Sequence, residues 1–309
     1  MHLILVFFAL IILQSWAKDD CGYQINISNA TVMLIDSDQT ITQEFTVSRS
    51  KPSSGNNCTT YRMFFSKGQA NSYQRKAYSH AGDIVNYNLY KFINLSGLLK
   101  DFGDSQNSNE FVEGIAPANN TVYTNRFYMS VPSISAQNFP GSGAYNDSVQ
   151  VRLYSFNPSN HKYEFESSNV YRVTLSLLNI IHVSLVDEGG VFDASSTVKI
   201  IDFGNIQEGD EKGADLRIVS NTPYEVKVSS SNNGKIMNSK GNTIEYQFKS
   251  NNSSYNLSNS ANHAISIGNG NRTTSAGDRY NLKIKIIEAI DSKPAGLYQD
   301  VITITALAN

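Results

Sequence analysis

The 309-residue sequence has only two cysteines, no surplus of basic residues and no glycine-rich phosphate or nucleophile motif. Its 25 basic and 27 acidic residues nearly balance, which argues against the basic footprint of a nucleic-acid-binding protein. The five histidines have no metal-ligand spacing, and no G-x-S-x-G, Walker or strand-linked G-x-G-x-x-G motif is present. The sequence therefore predicts no catalytic residue, no metal site and no cofactor, and we do not expect an enzyme.

The N-terminus has the pattern of a signal peptide. Leu3–Leu13 is an apolar run that is too short for a comfortable membrane span, and Ser15–Ala17 provides a small-x-small cleavage site. We predict that residues 1–17 are a signal peptide and that the mature, exported chain starts at Lys18.

Export bears on the two cysteines, Cys21 and Cys58. An oxidising compartment allows such a pair to persist as a disulfide. The sequence predicts this bond, and the alternative is two unrelated buried thiols.

Apolar and polar residues alternate along most of the chain, as in Val149, Val151 and Leu153. A period of two is typical of half-buried antiparallel strands, and Asn, Ser and Gly clusters separate the runs. The predicted fold class is all-β, with two sandwiches rather than one large barrel. In the first half, one strand each is predicted at 22–35, 57–66, 121–131, 144–155 and 170–182, two strands within 83–102, and an extension at 41–48. In the second half, strands are predicted at 182–186, 199–203, 216–219, 224–229, 243–248, 281–287 and 298–306.

One strand phrase occurs twice. Gly143-x-Tyr145-x-Asp147 in the first half and Gly296-x-Tyr298-x-Asp300 in the second lie 153 residues apart, and an alternating run follows each. A further apolar run, Val170–Ile181, follows the first copy, whereas the sequence ends at Asn309 after the second. We therefore expect one domain type used twice, the second copy lacking its last strand and needing one from elsewhere.

The residues around this phrase resemble a known family. Tyr87–Tyr90 and Gln137–Pro140 precede the first copy, while Ile201–Gly204 and Pro294–Ala295 accompany the second. Together they resemble the spore coat protein U domain, which builds the subunits of archaic, Csu-type chaperone–usher pili. The resemblance implies immunoglobulin-like sandwiches that lack a final strand, which first a periplasmic chaperone and then the next subunit supplies by strand addition.

Set against that family, the sequence predicts a two-domain layout. Residues 18–181 would be an N-terminal adhesin domain that binds a receptor, and residues 182–309 a C-terminal pilin domain. Only Lys18–Asp20 would precede Cys21 after cleavage, so the chain could accept a strand but not donate one.

We therefore predict a pilus tip adhesin that mediates attachment and biofilm formation, exported through the periplasm to the cell surface of a Gram-negative bacterium. The expected partners are a periplasmic chaperone, an outer-membrane usher, the donor strand of an adjacent subunit, and an abiotic surface or host receptor. No nucleic acid is expected. The alternative is a secreted structural coat protein of the same fold without a pilus.

Two sites follow from this layout. The strand-acceptor groove is predicted to include Val183, Leu185, Tyr298, Ile302, Ile304 and Ala306. The last strand of the first domain must run toward the second domain, so the loop before it should lie at the far pole with two other loops. Apolar residues in these three loops are the candidate binding surface: Tyr73, Tyr78, Phe111, Val112, Ile115, Phe156, Tyr163 and Phe165.

Overall fold

The computed structural model describes residues 21–50, 58–118, 121–137, 139–157 and 161–309. Two short 3-10 helices, Ser108–Glu110 and Ser135–Gln137, are its helical elements within these ranges. No helix in the described part of the chain is long and apolar enough to span a membrane. The predicted signal peptide lies outside the described residues.

The first ten strands form one sandwich, called here the first sandwich. One layer follows the order β1-β3-β8-β6, and the other contains β5, β9, β10 and β2, with β4 beside β9 and β7 beside β4. The strands are β1 (Tyr23–Ile27), β2 (Ala30–Leu34), β3 (Gln39–Arg49), β4 (Thr60–Phe65), β5 (Arg75–Tyr78), β6 (Ile84–Tyr90), β7 (Val112–Ile115), β8 (Val122–Val131), β9 (Gly143–Asn157) and β10 (Lys162–Leu177).

The remaining strands form the second sandwich. One layer has the order β11-β12-β18-β15-β14 with β16 beside β15, and the other has the order β17-β13-β19. The strands are β11 (Ile181–Val186), β12 (Glu211–Ser220), β13 (Tyr224–Ser230), β14 (Lys235–Met237), β15 (Thr243–Ser250), β16 (Ser253–Tyr255), β17 (Ile265–Gly270), β18 (Asp278–Ile286) and β19 (Ile302–Ala308).

Period-two patterning determines which side chains form each core. Along β9, the alternate residues Tyr145, Val149, Val151 and Leu153 are fully buried. Their intervening neighbours are more exposed, as expected where successive side chains point to opposite faces of a sheet. The two sandwiches have separate apolar cores, and the predicted fold class is confirmed.

The predicted disulfide is also confirmed, between Cys21 and Cys58. It joins the start of the described chain to the residues just before β4. Glu166 on β10 adds a second attachment, because its carboxylate accepts hydrogen bonds from the backbone amides of Cys21 and Tyr23.

The structure corrects the strand list predicted for the first half at several points. The segment 22–35, predicted as one strand, forms β1 and β2 in opposite layers, and the segment 83–102, predicted to hold two strands, contains one, β6. The segment 41–48, predicted as an extension, belongs to β3, a central strand that pairs with both β1 and β8. A strand at Arg75–Tyr78 was not predicted, because the charged Arg75 interrupts the apolar pattern. Arg75 is nevertheless fully buried, and its guanidinium donates to the carbonyl oxygens of Ser66 and Leu99, both at 2.8 Å.

Strand β10 ends at Leu177 and β11 begins at Ile181, so the two sandwiches are joined by three residues. The division of the chain at 181/182 into an adhesin and a pilin domain stays a prediction.

Candidate functional site

The second sandwich contains an open apolar groove of about 740 Å³. It lies between β19 on one side and the extended segment 197–203, called here the rim segment, on the other. Buried core residues form its floor. The floor residues include Ala214, Tyr246, Phe248, Leu282 and Ile284.

Strand β19 forms one wall of the groove with an unpaired edge. Within the described residues it pairs with β13 alone, over seven residue pairs from Ile302 to Ala308. Its inward side chains Ile302, Ile304 and Ala306 are only half-buried, although they pack against the core. Strand edges of this kind expose N–H and C=O groups that can pair with another strand.

The rim segment forms the opposite wall, and it too is unpaired. No backbone-to-backbone hydrogen bond is formed by residues 197–203 in the described part of the chain. The segment is held at its start, where the Leu185 amide donates to the Ser196 carbonyl at 2.7 Å and the Ser196 hydroxyl donates to the Leu185 carbonyl at 2.6 Å. Val198 and Ile200 are 79% and 84% exposed, so this wall presents apolar side chains to solvent.

The first sandwich contains the same arrangement with the groove filled. There β10 lies between β9, with which it pairs antiparallel, and β2, with which it pairs parallel. Its inward residues Val173, Leu175 and Leu177 are at most 3% exposed. In the second sandwich, β19 corresponds to β9 and the rim segment to β2, while no described strand takes the position of β10.

Side-chain geometry supports this correspondence. Tyr145 and Tyr298 each donate a hydroxyl hydrogen bond to the carbonyl oxygen four residues earlier, on Gly141 and Pro294 respectively. The repeated Tyr-x-Asp phrase thus has the same local bond in both halves.

The two aspartates of the phrase are also equivalent. Asp147 accepts a 2.6 Å hydrogen bond from the Tyr87 hydroxyl on β6, and Asp300 accepts one of the same length from the Tyr246 hydroxyl on β15. Burial, and then the neighbouring aspartate, raise the pKa of both tyrosines well above its ordinary value, so both hydroxyls stay protonated and donate. Each aspartate also accepts a backbone amide, from Gln69 in the first sandwich and from Asn232 in the second.

The structure brings the six predicted groove residues together against the second core, and all six are half-buried. Leu185, Tyr298, Ile302 and Ile304 line the groove directly, whereas Val183 and Ala306 flank it. Sequence reasoning predicted a strand at 199–203, within the rim segment, but did not assign this strand to the groove.

The predicted far pole of the first sandwich can be located from strand direction. Strand β9 starts next to Ser142, whose amide donates to the Asn221 carbonyl of the second sandwich at 3.1 Å, and then runs away from the junction. Strands β3 and β6 are parallel to β9, because each is an even number of antiparallel steps away. The connections that follow β3, β6 and β9 therefore lead to the far pole.

Two of the predicted tip residues are elsewhere. Strand β4 runs antiparallel to β9, so the loop after it opens toward the junction rather than the far pole. Tyr73 lies midway along the side, where its hydroxyl donates to Asp104 at 2.8 Å. Tyr78 pairs with Asn146 at the junction end of β9. The prediction was wrong because it treated 41–48 as an extension rather than as part of a full strand. It therefore assigned to β4 the direction that β3 has.

Three other predicted tip residues are buried rather than exposed. Val112 belongs to the main core at 3% exposure. Phe111 and Phe156, at 6% and 7%, pack around the guanidinium of Arg62, which lies 4.6 and 3.5 Å from their ring centres. Cation–π contact with Arg62 and packing against neighbouring aromatic rings account for this burial.

The outer aromatic cluster covers the outer face of β4 and β9. It is centred on Phe64, which is 2% exposed and contacts Phe102, Phe111, Tyr154 and Tyr163 at centroid distances of 5.1 to 6.2 Å.

The last three predicted tip residues border this cluster. Tyr163 is half-buried, Phe165 is 44% exposed, and Ile115 is 73% exposed at the end of β7. Of the eight predicted tip residues, only Phe165 and Ile115 present large exposed apolar surfaces.

An exposed apolar turn after β6 was missed. Phe92, Ile93 and Leu95 are 40%, 66% and 39% exposed. The turn is closed by hydrogen bonds from the Lys91 amide to the Gly97 carbonyl at 2.8 Å and from the Leu95 amide to the Phe92 carbonyl at 3.0 Å. An apolar run that ends a strand is hard to distinguish from strand core in the sequence, which is why this segment was included in the range 83–102 that was predicted to hold two strands.

The first part of the chain matches a known family model. Residues 19–152 match the family model named Spore Coat Protein U domain. This part of the chain is similar to the Spore Coat Protein U domain. The matched range of this domain runs from before the disulfide to Arg152 in β9, so it includes the first Tyr-x-Asp phrase and excludes β10 and the second sandwich.

Among curated proteins, no sequence matches the chain. Three solved structures resemble its fold over most of their length, each with low identity and a TM-score below 0.5. They are a chaperone–tip adhesion subunit complex (CsuC–CsuE) from archaic Csu pili of Acinetobacter baumannii (15% identity, TM-score 0.45, 92% of this chain and 99% of that one); CfaE, the adhesive subunit of CFA/I fimbria of enterotoxigenic Escherichia coli (10%, 0.36, 91% and 93%); and the CupB6 tip adhesin of Pseudomonas aeruginosa (8%, 0.36, 94% and 95%).

Proposed function

We propose that this chain is a chaperone–usher pilus subunit whose second sandwich accepts a donor strand from a periplasmic chaperone and then from an adjacent subunit. The observation that carries the proposal is the open groove between two unpaired backbone segments, β19 and residues 197–203. An extended strand placed there would pair with both walls while its alternate side chains cover the apolar floor.

The filled groove of the first sandwich defines the strand that fits. Tyr171, Val173 and Leu175 of β10 lie opposite Val149, Asp147 and Tyr145 of β9. With the 153-residue offset, the corresponding acceptor residues are Ile302, Asp300 and Tyr298. A donor strand antiparallel to β19 would therefore place a large apolar residue beside Ile302 and others at every second position toward Tyr298.

A fused donor strand tests this proposal on the mature full-length chain. Residues Asn169–Leu178 are appended after Asn309 through a short flexible loop, as β10 follows β9 in the first sandwich. In the control fusion, the appended copies of Tyr171, Val173 and Leu175 are serines. Each apolar side chain that becomes fully buried should contribute about 1.5–3 kcal/mol.

The apolar fusion should therefore raise the unfolding temperature of the second sandwich and suppress aggregation, while the serine fusion should behave as the unfused chain. If the two fusions unfold alike, the groove does not accept a strand, and a coat protein without a pilus becomes the better account.

We further propose that the first sandwich acts at the pilus tip, where its far pole mediates attachment to a surface or host and promotes biofilm formation on a Gram-negative cell. Supporting this, the exposed turn Phe92–Leu95 follows β6, which runs away from the second sandwich. Ile115 adds apolar surface at the end of β7.

Attachment can be measured with a matched pair of variants. Replacing Phe92, Ile93 and Leu95 with serine should reduce binding of the donor-fused protein to a hydrophobic surface. Replacing Met33 and Ile35, exposed at the junction end of β2, should leave binding unchanged. Equal losses in both variants would contradict a binding surface at the far pole.

A further inference from the structure

The junction between the sandwiches is built on a face of the first sandwich that consists of two loops, called here the first docking face. One loop is the turn Ser79–Asp83 after β5, and the other is Pro140–Ser142 before β9. The Asp83 carboxylate forms a 2.6 Å ion pair with Arg272 of the second sandwich. The Ser142 amide donates to the carbonyl of Asn221, also in the second sandwich.

Asn221 completes this junction. It is 2% exposed, and its backbone amide donates to the Ile180 carbonyl at 3.1 Å. Its side-chain oxygen accepts the Ile180 amide at 2.7 Å, and its side-chain nitrogen donates to the Leu178 carbonyl at 2.9 Å. One buried asparagine thus joins the linker, the first docking face and the second sandwich.

Gly141 shows how closely the two sandwiches approach. A Cβ atom at this position would lie 2.8 Å from the Asp83 carboxylate and 2.9 Å from the Arg272 guanidinium. From proline to tyrosine this loop is one residue longer than its counterpart in the second half. Gly141 and Ser142 of the longer loop therefore belong to the contact between sandwiches.

Both loops recur in the second sandwich. In the turn Asn238–Asn242, the Asn238 amide donates to the Asn242 carbonyl, the Gly241 amide to the Asn238 carbonyl, and the Asn242 amide to the Asn238 side chain. The turn Ser79–Asp83 has the same three bonds at equivalent positions.

The strands that hold these turns also correspond. Met237 bridges Gln299, as Tyr78 bridges Asn146 in the first sandwich. The second loop, Pro294–Leu297, precedes the second Tyr-x-Asp phrase. The loops Asn238–Asn242 and Pro294–Leu297 are called here the second docking face.

The second docking face is exposed to solvent, whereas the first docking face is covered by the second sandwich. Leu297 is 79% exposed and the nearby Val301 is 63% exposed, whereas Pro140 and Gly141 are buried. A cleft of about 530 Å³ lies between the two loops of the second face, lined by Asn238–Lys240 and Ala295–Leu297 among others.

We propose that the second docking face binds the body of the next pilus subunit. That subunit is a β-sandwich, and the loops at one of its ends would contact this face as Asn221 and Arg272 of the second sandwich contact the first docking face. This inference rests on the proposed function, since the same subunit would supply the donor strand. The docking face adjoins one end of the groove, since Gly296 and Leu297 line both the groove and the docking face. Lys240 lies outside the groove lining, so contact at Lys240 distinguishes binding of the subunit body from strand addition.

Charge indicates what the partner loops carry. The first face presents the acidic Asp83 to Arg272, whereas the turn of the second face has the neutral Asn242 and the exposed, basic Lys240. A loop with an arginine like that of Arg272 would be repelled there, so the second face favours a partner other than a second copy of this chain. The fitting partner presents an acidic or hydrogen-bond-accepting loop to Lys240 and an apolar side chain to Leu297.

Photo-crosslinking in cells that assemble the pilus tests the proposal. A photoreactive residue is placed singly at Ile200 in the groove, at Leu297 or Lys240 on the docking face, and at Met33 as an exposed control. The expected result is that one polypeptide is captured from all three test positions, through its N-terminal extension at Ile200 and through sandwich loops at Leu297 and Lys240. The photoreactive residue at Met33 should capture neither the N-terminal extension nor the sandwich loops of that polypeptide.

Capture at Ile200 with no capture at the docking face, or with capture there of the chaperone or another protein, would overturn the docking proposal while leaving strand acceptance intact. No donor segment captured at Ile200 would instead overturn the proposed function, and the docking proposal with it.

A substitution gives a second readout in the same cells. Leu297→Asp should lower the crosslink from Lys240 about tenfold, because loss of a central apolar contact costs on the order of 1.4 kcal/mol of binding. The crosslink at Ile200 should persist. Val191→Asp, at another position that is 80% exposed, is the matched control and should change neither. An unchanged Lys240 crosslink in Leu297→Asp would count against the docking face.

Discussion

Strands β9 and β19 carry the same Tyr-x-Asp phrase and the same hydrogen bonds, yet their surroundings differ. Along β9 the inward residues Val149, Val151 and Leu153 are fully buried, whereas Ile302 and Ile304 of β19 are half-buried. Strand β9 has neighbours on both edges, and β19 has a neighbour on one. The local sequence thus specifies the strand, and the presence or absence of a following strand specifies how completely its sandwich is closed.

The largest effect should come from opening the closed sandwich. Val173→Asp with Leu175→Asp places two charges at fully buried positions of β10. Unpaired buried charges destabilise strongly, so we expect a loss above about 4 kcal/mol and an unfolded first sandwich. Calorimetry should show that its unfolding transition disappears.

The matched variant in the open sandwich is Ile302→Asp with Ile304→Asp. Because these side chains border the groove, the donor-free chain should lose much less stability than it does with the β10 pair. In the donor-fused chain, the same pair of substitutions should abolish the stability that the appended apolar strand adds to the second sandwich. Equal damage by the two pairs in donor-free chains would contradict the contrast between closed and open grooves.

Removing the disulfide should weaken one sandwich only. Cys21→Ser with Cys58→Ser releases a loop with a sequence separation of 37 residues. Chain entropy predicts a loss of about 3–4 kcal/mol for the first sandwich, with no change in the second, which contains no cysteine. Denaturant unfolding followed by domain-resolved hydrogen exchange checks this, and a shift in both sandwiches would argue against independent cores.

The repeated aspartates offer a comparison at intermediate cost. Asp147→Asn and Asp300→Asn each weaken a hydrogen bond from a buried tyrosine and one from a backbone amide. We expect losses of about 1–3 kcal/mol in each sandwich, because hydrogen bonds to charged groups contribute that much. A large effect at Asp147 and none at Asp300 would show that the second copy of the phrase is not structurally equivalent.

The smallest expected effect is at the junction. Arg272→Gln removes the ion pair with Asp83, whose partners are 39% and 28% exposed. Partly exposed ion pairs contribute under about 1 kcal/mol, so the thermal stability of each sandwich should hardly change. Small-angle scattering is the more sensitive measurement, and a shift toward bent conformations would indicate that the ion pair sets the angle between sandwiches.

Much of the fold was predictable because alternation and repetition are local signals. The period of two gave the all-β class, and the 153-residue repeat gave the second sandwich and its open strand. The groove residues on β11 and β19 followed from the same pattern. Export chemistry favoured the Cys21–Cys58 bond.

The tip residues were harder to predict, because burial there depends on tertiary contacts. Phe111 and Phe156 lie in polar loop sequence, yet a guanidinium from β4 and the outer aromatic cluster bury them. Tyr73 and Tyr78 were misplaced because the segment 41–48 was predicted as an extension rather than as part of a full strand, so β4 was counted one strand too early and the loop after it was assigned to the wrong pole. The segment 199–203 was predicted as a strand but not as a wall of the groove, because a strand without a partner gives no sheet neighbour from which to place it.

Hydrogen exchange of the groove walls tests the central claim most directly. In the donor-free chain, amides of residues 197–203 should exchange as fast as those of an exposed loop, and β19 should exchange faster than Val149–Leu153 of β9. In the donor-fused chain both walls should slow, about tenfold for each 1.4 kcal/mol of added local stability. Protection of residues 197–203 and β19 in the donor-free chain equal to that of β2 and β9 would show that the second sandwich is already closed, and would contradict the account.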